Sequence, residues 1–361
     1  MRESTLVMIP GPTPVHEEIL QSMSRVTYGH TQGEFVQLYR ETIAGLKELL
    51  QADYAVAIGG AGTLAMEMAL VNTVRAGEEI LVLSNGYFGE RFAQLAEAYG
   101  IKADLLPASL GHAVTAEEVE RRLRQKRYAA VTLTHVDTST GVMAPVTEIA
   151  GVIREAGPLF ILDGVCATGG IDEPMRAWGV DVLVTTSQKA LGVPPGFAIL
   201  GLSQRAVERR RSLGRIPGYY TDLEKWLPIM DNPALYFSTP PVHLVLALHK
   251  GLQMVQQEGL ALRFARHERL AAAFRQHMEV LGLEMFTVRN YLAPTLSVVK
   301  YPEGVDDAAF RAAVEEKGVL VAGGVGPLKG KVFRVGHMGN IAEAEIAKTV
   351  SAIEAALRQL G

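Results

Sequence analysis

Between residues 54 and 202, short apolar runs alternate with longer stretches in which apolar residues recur every three or four positions. The runs at 55–58, 79–83, 103–106, 129–134, 159–163, 180–185 and 197–200 are mostly unbroken rather than alternating, the pattern of strands covered on both faces. The stretches 63–74, 88–98, 116–125 and 146–156 that separate them have helical spacing and read as crossover helices between parallel strands. Thr115 followed three residues later by Glu118 predicts a capping box, each side chain satisfying a backbone N–H that the helix start would leave unpaired. Gly100, Gly157 and Gly179 each follow a helical pattern and precede a strand, as C-terminal helix stops do. The fold class is α/β.

After residue 203 the pattern changes. A loop rich in Tyr, Pro and Asp spans 216–241, followed by a helical stretch over 242–281 that Gly259 should break and that bridges two domains. A smaller α/β segment follows, with strands expected at 295–299, 319–321 and 331–335 and helices at 307–316 and 342–360. A chain of 361 residues with 48% hydrophobic and 20% charged residues can fill a large core and a smaller one. With 35 basic against 39 acidic side chains and no long run of either sign, nothing points to nucleic acid or to a polybasic membrane contact. The single cysteine, Cys166, can form neither an intramolecular disulfide nor a thiolate metal cluster. The first ten residues carry Glu3, and Pro10 ends their apolar run, so they do not read as a signal peptide, and no stretch approaches the roughly 20 apolar residues of a membrane span. A cytoplasmic protein is expected.

Ligands of open α/β sheets collect at the carboxyl ends of parallel strands, so polar groups at those ends are the candidates for chemistry. Gly59-Gly60-Ala61-Gly62-Thr63 leads from the first strand into a helix, where free N–H groups, the helix dipole and the Thr63 hydroxyl can hold a phosphate. Asp163 closes the strand 159–163, and Thr186-Ser187-Gln188-Lys189 follows the strand 180–185. A phosphate cradle, a carboxylate and an amine on one rim are the parts that pyridoxal phosphate chemistry requires. Gly60-x-Gly62-x-x-Ala65 also fits a dinucleotide fingerprint, but the next strand ends Leu83-Ser84-Asn85-Gly86 without the acidic residue that binds ribose. His135-Val136-Asp137 is read as ordinary strand-end structure rather than a metal pair, and no metal site is expected.

The strings Pro10-Gly11-Pro12-Thr13-Pro14, Gly60-Ala61-Gly62-Thr63-Leu64-Ala65-Met66-Glu67, Asn85-Gly86-Tyr87-Phe88-Gly89-Glu90-Arg91, Ser139-Thr140-Gly141-Val142, Ser187-Gln188-Lys189-Ala190-Leu191, Pro194-Pro195-Gly196 and Arg334-Val335-Gly336 resemble class V aminotransferases of the alanine-glyoxylate and serine-pyruvate branch, in that family's order over nearly the whole chain. The resemblance implies the type I pyridoxal-phosphate-dependent transferase fold. It comprises a mostly parallel seven-stranded sheet in a large domain (21–257), a smaller C-terminal α/β domain (258–361), and an N-terminal segment (1–20) packing toward the small domain and active site. It also implies a homodimer with shared active sites. Lys189 would be the Schiff-base lysine and proton shuttle, Asp163 the partner of the pyridine nitrogen, Phe88 and Val165 the residues on the two ring faces, and Thr138 a neighbour of the ring hydroxyl. Ala61, Gly62, Thr63 and Gln188 would hold the phosphate, joined by Tyr236 and Thr239 from the other subunit. Arg334 would take the substrate carboxylate, with the backbone near Gly11 assisting.

The sequence departs from the family in carrying Phe88 where relatives often have Trp, and Gly164-Val165-Cys166-Ala167 where a serine-bearing run is usual. The implied reaction is ping-pong transfer of the amino group of alanine or serine to glyoxylate or pyruvate. Another donor such as 2-aminoethylphosphonate, or a non-catalytic assembly subunit on the same fold, stays open. Desulfurase chemistry needs a cysteine on a mobile loop, which Cys166, three residues after Asp163, does not offer.

Overall fold

A computed structural model describes residues 5–360. Seven strands form one sheet in the order Tyr54–Gly59, Phe197–Leu202, Val182–Thr186, Leu159–Asp163, Ala130–Thr134, Glu79–Ser84, Lys102–Pro107. Pairing is parallel from Val182–Thr186 out to Lys102–Pro107 and antiparallel on both sides of Phe197–Leu202, the one reversed strand. The mostly parallel seven-stranded sheet is therefore present. Ala130–Thr134, Leu159–Asp163 and Val182–Thr186 are buried at every position, which is why their sequences are unbroken apolar runs. Lys102–Pro107 differs: it is the sheet edge, exposed at Lys102, Ala103, Leu105 and Pro107, so coverage on both faces does not extend to it.

The capping box forms as expected, with the Glu118 N–H donating to Thr115 Oγ1 at 3.3 Å and the Thr115 N–H to Glu118 Oε2 at 2.9 Å. The expected loop at 216–241 instead contains the helix Leu223–Asp231. Pro228 argues against a helix there, but Asp222 caps its start, and Leu223, Trp226, Ile229 and Met230 bury one apolar face that outweighs the lost hydrogen bond. The helical stretch at 242–281 is broken at Gly259, whose φ of +81° separates Val242–Glu258 from Leu260–Val280.

Toward the C-terminus, Leu296–Lys300, Val332–Gly336 and Ala322–Gly323 form an antiparallel sheet in that order. Helices Leu260–Val280, Asp307–Glu316 and Glu343–Leu360 enclose a second core with it, around Phe274, Phe310, Phe333 and Ile353. The expected strand 319–321 is split: Val319–Leu320 pairs in parallel with Leu6–Val7, while Ala322–Gly323 joins Val332–Gly336. A third apolar cluster, including Val136, Cys166, Leu296, Val298 and Met338, joins the rim of the large sheet to this smaller one. No helix among the described residues is long and apolar enough to cross a membrane.

Polar side chains also lock this seam. Arg263, buried on the Leu260–Val280 helix, donates from Nε to the Gly169 carbonyl at 2.8 Å, from Nη2 to the Ala190 carbonyl at 2.6 Å and from Nη1 to Glu258 Oε2 at 2.7 Å. Arg266 shares Glu258 and donates to the carbonyls of Ile341 and Gly339. Glu258 is half-buried, but its removal takes a charged partner from the buried Arg263, so Glu258→Ala should cost about 2 kcal/mol. The exposed pair Arg358–Glu354 is a control: Glu354→Ala should cost less than about 0.5 kcal/mol. Urea unfolding of both variants checks the contrast, and equal losses would contradict it.

Candidate active site

The carboxyl ends of the parallel strands share one rim because parallel pairing aligns them. Asp163 and Thr134 are register partners there. Asp163 is buried, accepting from the Val165 N–H at 2.9 Å through Oδ1 and from the Thr134 hydroxyl at 3.2 Å through Oδ2. Burial pushes its pKa up to about 7; the neighbouring Asp137 and Glu173 carboxylates push the same way, opposed by those two hydrogen bonds. A carboxyl in this state favours a cationic partner.

Lys189 lies on the turn after Val182–Thr186. The Ser187 hydroxyl donates to the Pro194 carbonyl at 2.7 Å and fixes the turn. From the N-terminal segment, Thr13 donates from N to the Gln188 carbonyl at 3.1 Å and from its hydroxyl to the Lys189 carbonyl at 2.8 Å. Lys189 Nζ donates to the Pro10 carbonyl. Gly11, with φ +115°, lies directly against this side chain: a Cβ there would stand 2.5 Å from Nζ. Gly11 and Lys189 are thus brought together, through a close approach that only glycine allows.

The helix Gly62–Val71 starts at Ala61 with no side-chain cap, so its first N–H groups are free for an anion. A Cβ on Gly62 would lie 3.1 Å from Val165 Cγ2, placing Val165 beside this helix start. Gly60 has a different reason to be glycine: its Cβ would meet Ala198 Cβ at 3.3 Å and collide with Leu64. The Thr186 hydroxyl lies 2.6 Å from both the Phe197 carbonyl and the Gln188 side-chain amide; with a single proton it donates to the carbonyl and accepts from the amide, whose second N–H has no partner among the described residues. The donor set fits a phosphate, and Asp163 and Lys189 fit the pyridine nitrogen and the aldehyde of pyridoxal phosphate.

Phe88 is half-buried in the first turn of the helix Tyr87–Ala98. Thr138 is buried, its hydroxyl 2.7 Å from Cys166 Sγ, and its carbonyl accepts from Arg334 Nη1 at 3.0 Å. Arg334 Nε donates to the Gly323 carbonyl at 2.8 Å, so two backbone carbonyls orient the guanidinium and Nη2 keeps no partner among the described residues. Burial pulls the Arg334 pKa below the usual arginine value, opposed by Cys166 and Asp137. Burial likewise raises the Cys166 thiol, which disfavours the thiolate that sulfur-transfer chemistry would need. Tyr236 and Thr239 are exposed on the loop before Val242–Glu258, Tyr236 meeting His30 edge to face at 4.2 Å. Among the described residues no hydrogen bond joins either of them to Ala61, Gly62, Thr63 or Gln188.

Sequence reasoning missed a layer beneath these groups. Asp137 is fully buried; Oδ2 accepts from the Phe88 and Gly89 N–H groups, both at 3.0 Å, and Oδ1 from the Ser139 N–H at 2.9 Å. It caps the Tyr87–Ala98 helix from another strand, which Gly86 permits because a Cβ there would lie 2.8 Å from Asp137 Cγ. His135 Nδ1 lies 2.6 Å from Glu173 Oε1, and Glu173 Oε2 accepts from Thr168 at 2.6 Å under the turn that carries Val165. An acidic residue three positions past a buried strand was the available signal for Asp137; Glu173 had none.

The sequence model of the class V aminotransferases matches residues 13–330. The chain belongs to that family. An uncharacterized aminotransferase of Methanocaldococcus jannaschii is 37% identical over 359 residues, covering 99% of this chain and 93% of that one. An L-aspartate–glyoxylate aminotransferase of Paracoccus denitrificans is 30% identical, covering 100% of this chain and 93% of its own. The crystal structure of an alanine–glyoxylate aminotransferase from Nostoc sp. superposes with a TM-score of 0.95 at 33% identity, covering 99% of this chain and 96% of that chain. The class V aminotransferase described here thus has the family's fold, and membership implies pyridoxal phosphate as cofactor.

Because the Asp163 pKa is raised on folding, its contribution to the cofactor-free protein is most favourable below its unfolded pKa near 3.8 and is lost as pH rises through about 7. Cofactor-free Asp163→Asn should therefore match wild type in stability near pH 4 and exceed it above pH 7, by up to about 4 kcal/mol. Urea titrations across that range measure the gap, and an Asn variant that is less stable at pH 8 than at pH 4 relative to wild type would contradict the assignment.

Proposed function

We propose that this aminotransferase uses pyridoxal phosphate to pass the amino group of a small amino acid, alanine or serine, to glyoxylate or pyruvate in a ping-pong cycle. The observation that carries this reading is the convergence on one rim of the buried Asp163 carboxyl, the Lys189 amine and the uncapped start of the Gly62–Val71 helix. Family members whose names specify glyoxylate with two different donors support the acceptor more strongly than the donor. The cofactor's ring supplies an electron sink for the charge that develops when a proton leaves the substrate α-carbon.

Ala61, Gly62, Thr63 and Gln188 hold the phosphate through backbone N–H groups, a hydroxyl and an amide. Asp163 keeps the ring nitrogen protonated, since a buried carboxylate next to a cation is stabilised where a lone one is not. Phe88 and Val165 confine the ring, and Thr138 orients its hydroxyl edge. Lys189 would hold the cofactor through its aldehyde, and its amine would take and return the substrate α-carbon proton. Arg334, oriented by Gly323 and Thr138, presents its remaining donors to the substrate carboxylate, with the Gly11 backbone closing the same side.

The working form is a homodimer in which the partner subunit's Tyr236 and Thr239 reach the phosphate. Exposure of Tyr219, Leu235 and Tyr236 on one loop region supports that interface. The division into 1–20, 21–257 and 258–361 follows the helix break at Gly259 and the pairing of Leu6–Val7 with Val319–Leu320. The single buried cysteine suits a reducing cytoplasm.

Purified protein should be yellow, and L-alanine or L-serine alone should bleach its visible band, with glyoxylate or pyruvate restoring it. Bleaching by 2-aminoethylphosphonate but by neither amino acid would redirect the donor. Lys189→Ala should lose more than about 10³-fold in turnover, the scale of a general acid–base group, while still folding; unchanged transfer would refute the site.

A further inference from the structure

Arg91 is not among the residues assigned above, yet its guanidinium lies between two of them. It sits one helical turn beyond Phe88, with Cζ 5.0 Å from the Phe88 ring centroid and 5.5 Å from that of Tyr87. Its Nη1 donates to Thr63 Oγ1 at 3.4 Å, across from the Tyr87–Ala98 helix to the start of the Gly62–Val71 helix. Most arginines with strong contacts in this chain pair with a carboxylate, as Arg210 does with Asp222 and Arg311 with Asp307. No carboxylate pairs with Arg91 among the described residues; it has only aromatic faces and one hydroxyl. Its positive charge is therefore uncompensated at the point where the uncapped helix, the Thr63 hydroxyl and the Gln188 amide leave donors for an anion.

The two helix starts on this rim are electrostatically unlike. Asp137 fills the donors of the Tyr87–Ala98 helix with a carboxylate, whereas no side chain among the described residues fills those of the Gly62–Val71 helix. A dianion entering the site is repelled from the first and met at the second by the dipole and by Arg91.

We propose that Arg91 is a positioning residue for the cofactor phosphate: it supplies the positive charge that the phosphate cradle otherwise lacks, and through its stacking it ties the Phe88 ring to that cradle. This rests on the reading that the rim binds pyridoxal phosphate. A guanidinium reaching a phosphate makes charge-assisted bonds, and losing one weakens binding about ten-fold or more.

The test compares two probes on cofactor-free enzyme: pyridoxal phosphate, and pyridoxal, which has the same ring and aldehyde but no phosphate. Binding is read from the visible band of the lysine-bound form. Arg91→Gln should weaken pyridoxal phosphate at least about ten-fold and pyridoxal less than about two-fold, while Arg91→Lys, which keeps the charge, should stay within about three-fold of wild type for both. Equal loss for both probes in Arg91→Gln, or no loss for either, overturns the proposal. Should Arg91→Gln not fold, loss of phosphate discrimination in Arg91→Lys as large as that expected for Gln overturns it, and retained discrimination supports it. Wild-type protein that binds neither probe overturns the cofactor reading itself and this proposal with it, an outcome distinct from a change confined to the variants.

Discussion

A carboxyl group at the buried end of a central strand is the constraint around which this molecule is arranged. Asp163 is withdrawn from water and has Asp137 and Glu173 near it, so its ionised form is disfavoured until something positive arrives. In a structure selected for stability alone such a group would be replaced by an apolar one or paired with an arginine. Here the available hydrogen bonds, from Val165 and Thr134, only hold its orientation. The cost is borne by the large core of the seven-stranded sheet, whose central strands are buried throughout and fix the carboxyl's position through the register of Thr134 against Asp163.

The second requirement is that groups from distant parts of the chain meet at this rim. Leu6–Val7 pairs with Val319–Leu320, the Met8 carbonyl accepts from the Gly336 N–H at 2.8 Å, and Pro10, Gly11 and Thr13 then reach the Lys189 turn. One extended segment thus ties the strand that carries Arg334 to the turn that carries the amine. Arg263 closes the same seam from behind by bonding the carbonyls of Gly169 and Ala190, the latter next to Lys189. Displacement of the smaller sheet would move Arg334 and Lys189 relative to each other, so packing energy at the seam sets the geometry of guanidinium and amine.

Much of this was legible in the chain because parallel sheets leave a strong trace. Unbroken apolar runs marked the central strands, and the residues just past them, Gly62, Asp163 and Lys189, marked the rim. What escaped has physical reasons. Lys102–Pro107 carries Lys102, Asp104 and Pro107, a polar interruption that fits its place at an edge, but the order in which strands pair is set by contacts that a run of residues does not record. The helix Leu223–Asp231 was masked by Pro228, a local penalty that tertiary burial of Trp226 and Ile229 overrides. Asp137, Glu173 and Pro10 act through contacts with residues 38 to 179 positions away in sequence. Such contacts exist only once the chain is folded.

The layer of residues that escaped also decides which end of the site takes an anion. Two helices begin on the same rim, and by backbone geometry alone each offers the same free donors and the same positive dipole end. Asp137 makes them unequal by filling one start with a carboxylate, and Gly86 lets that carboxylate come close because a side chain there would collide with it. Among the described residues the other start, at Ala61, has neither a capping side chain nor a carboxylate from elsewhere, and Arg91 stands beside it with no carboxylate of its own. The same carboxylate that closes the first helix also raises the proton affinity of Asp163, so one buried charge disfavours both an anion at the Asp163 end of the rim and a lone negative charge on Asp163 itself. An elongated ligand that is cationic at one end and dianionic at the other satisfies both biases in a single orientation, and the lysine lies on the rim between them.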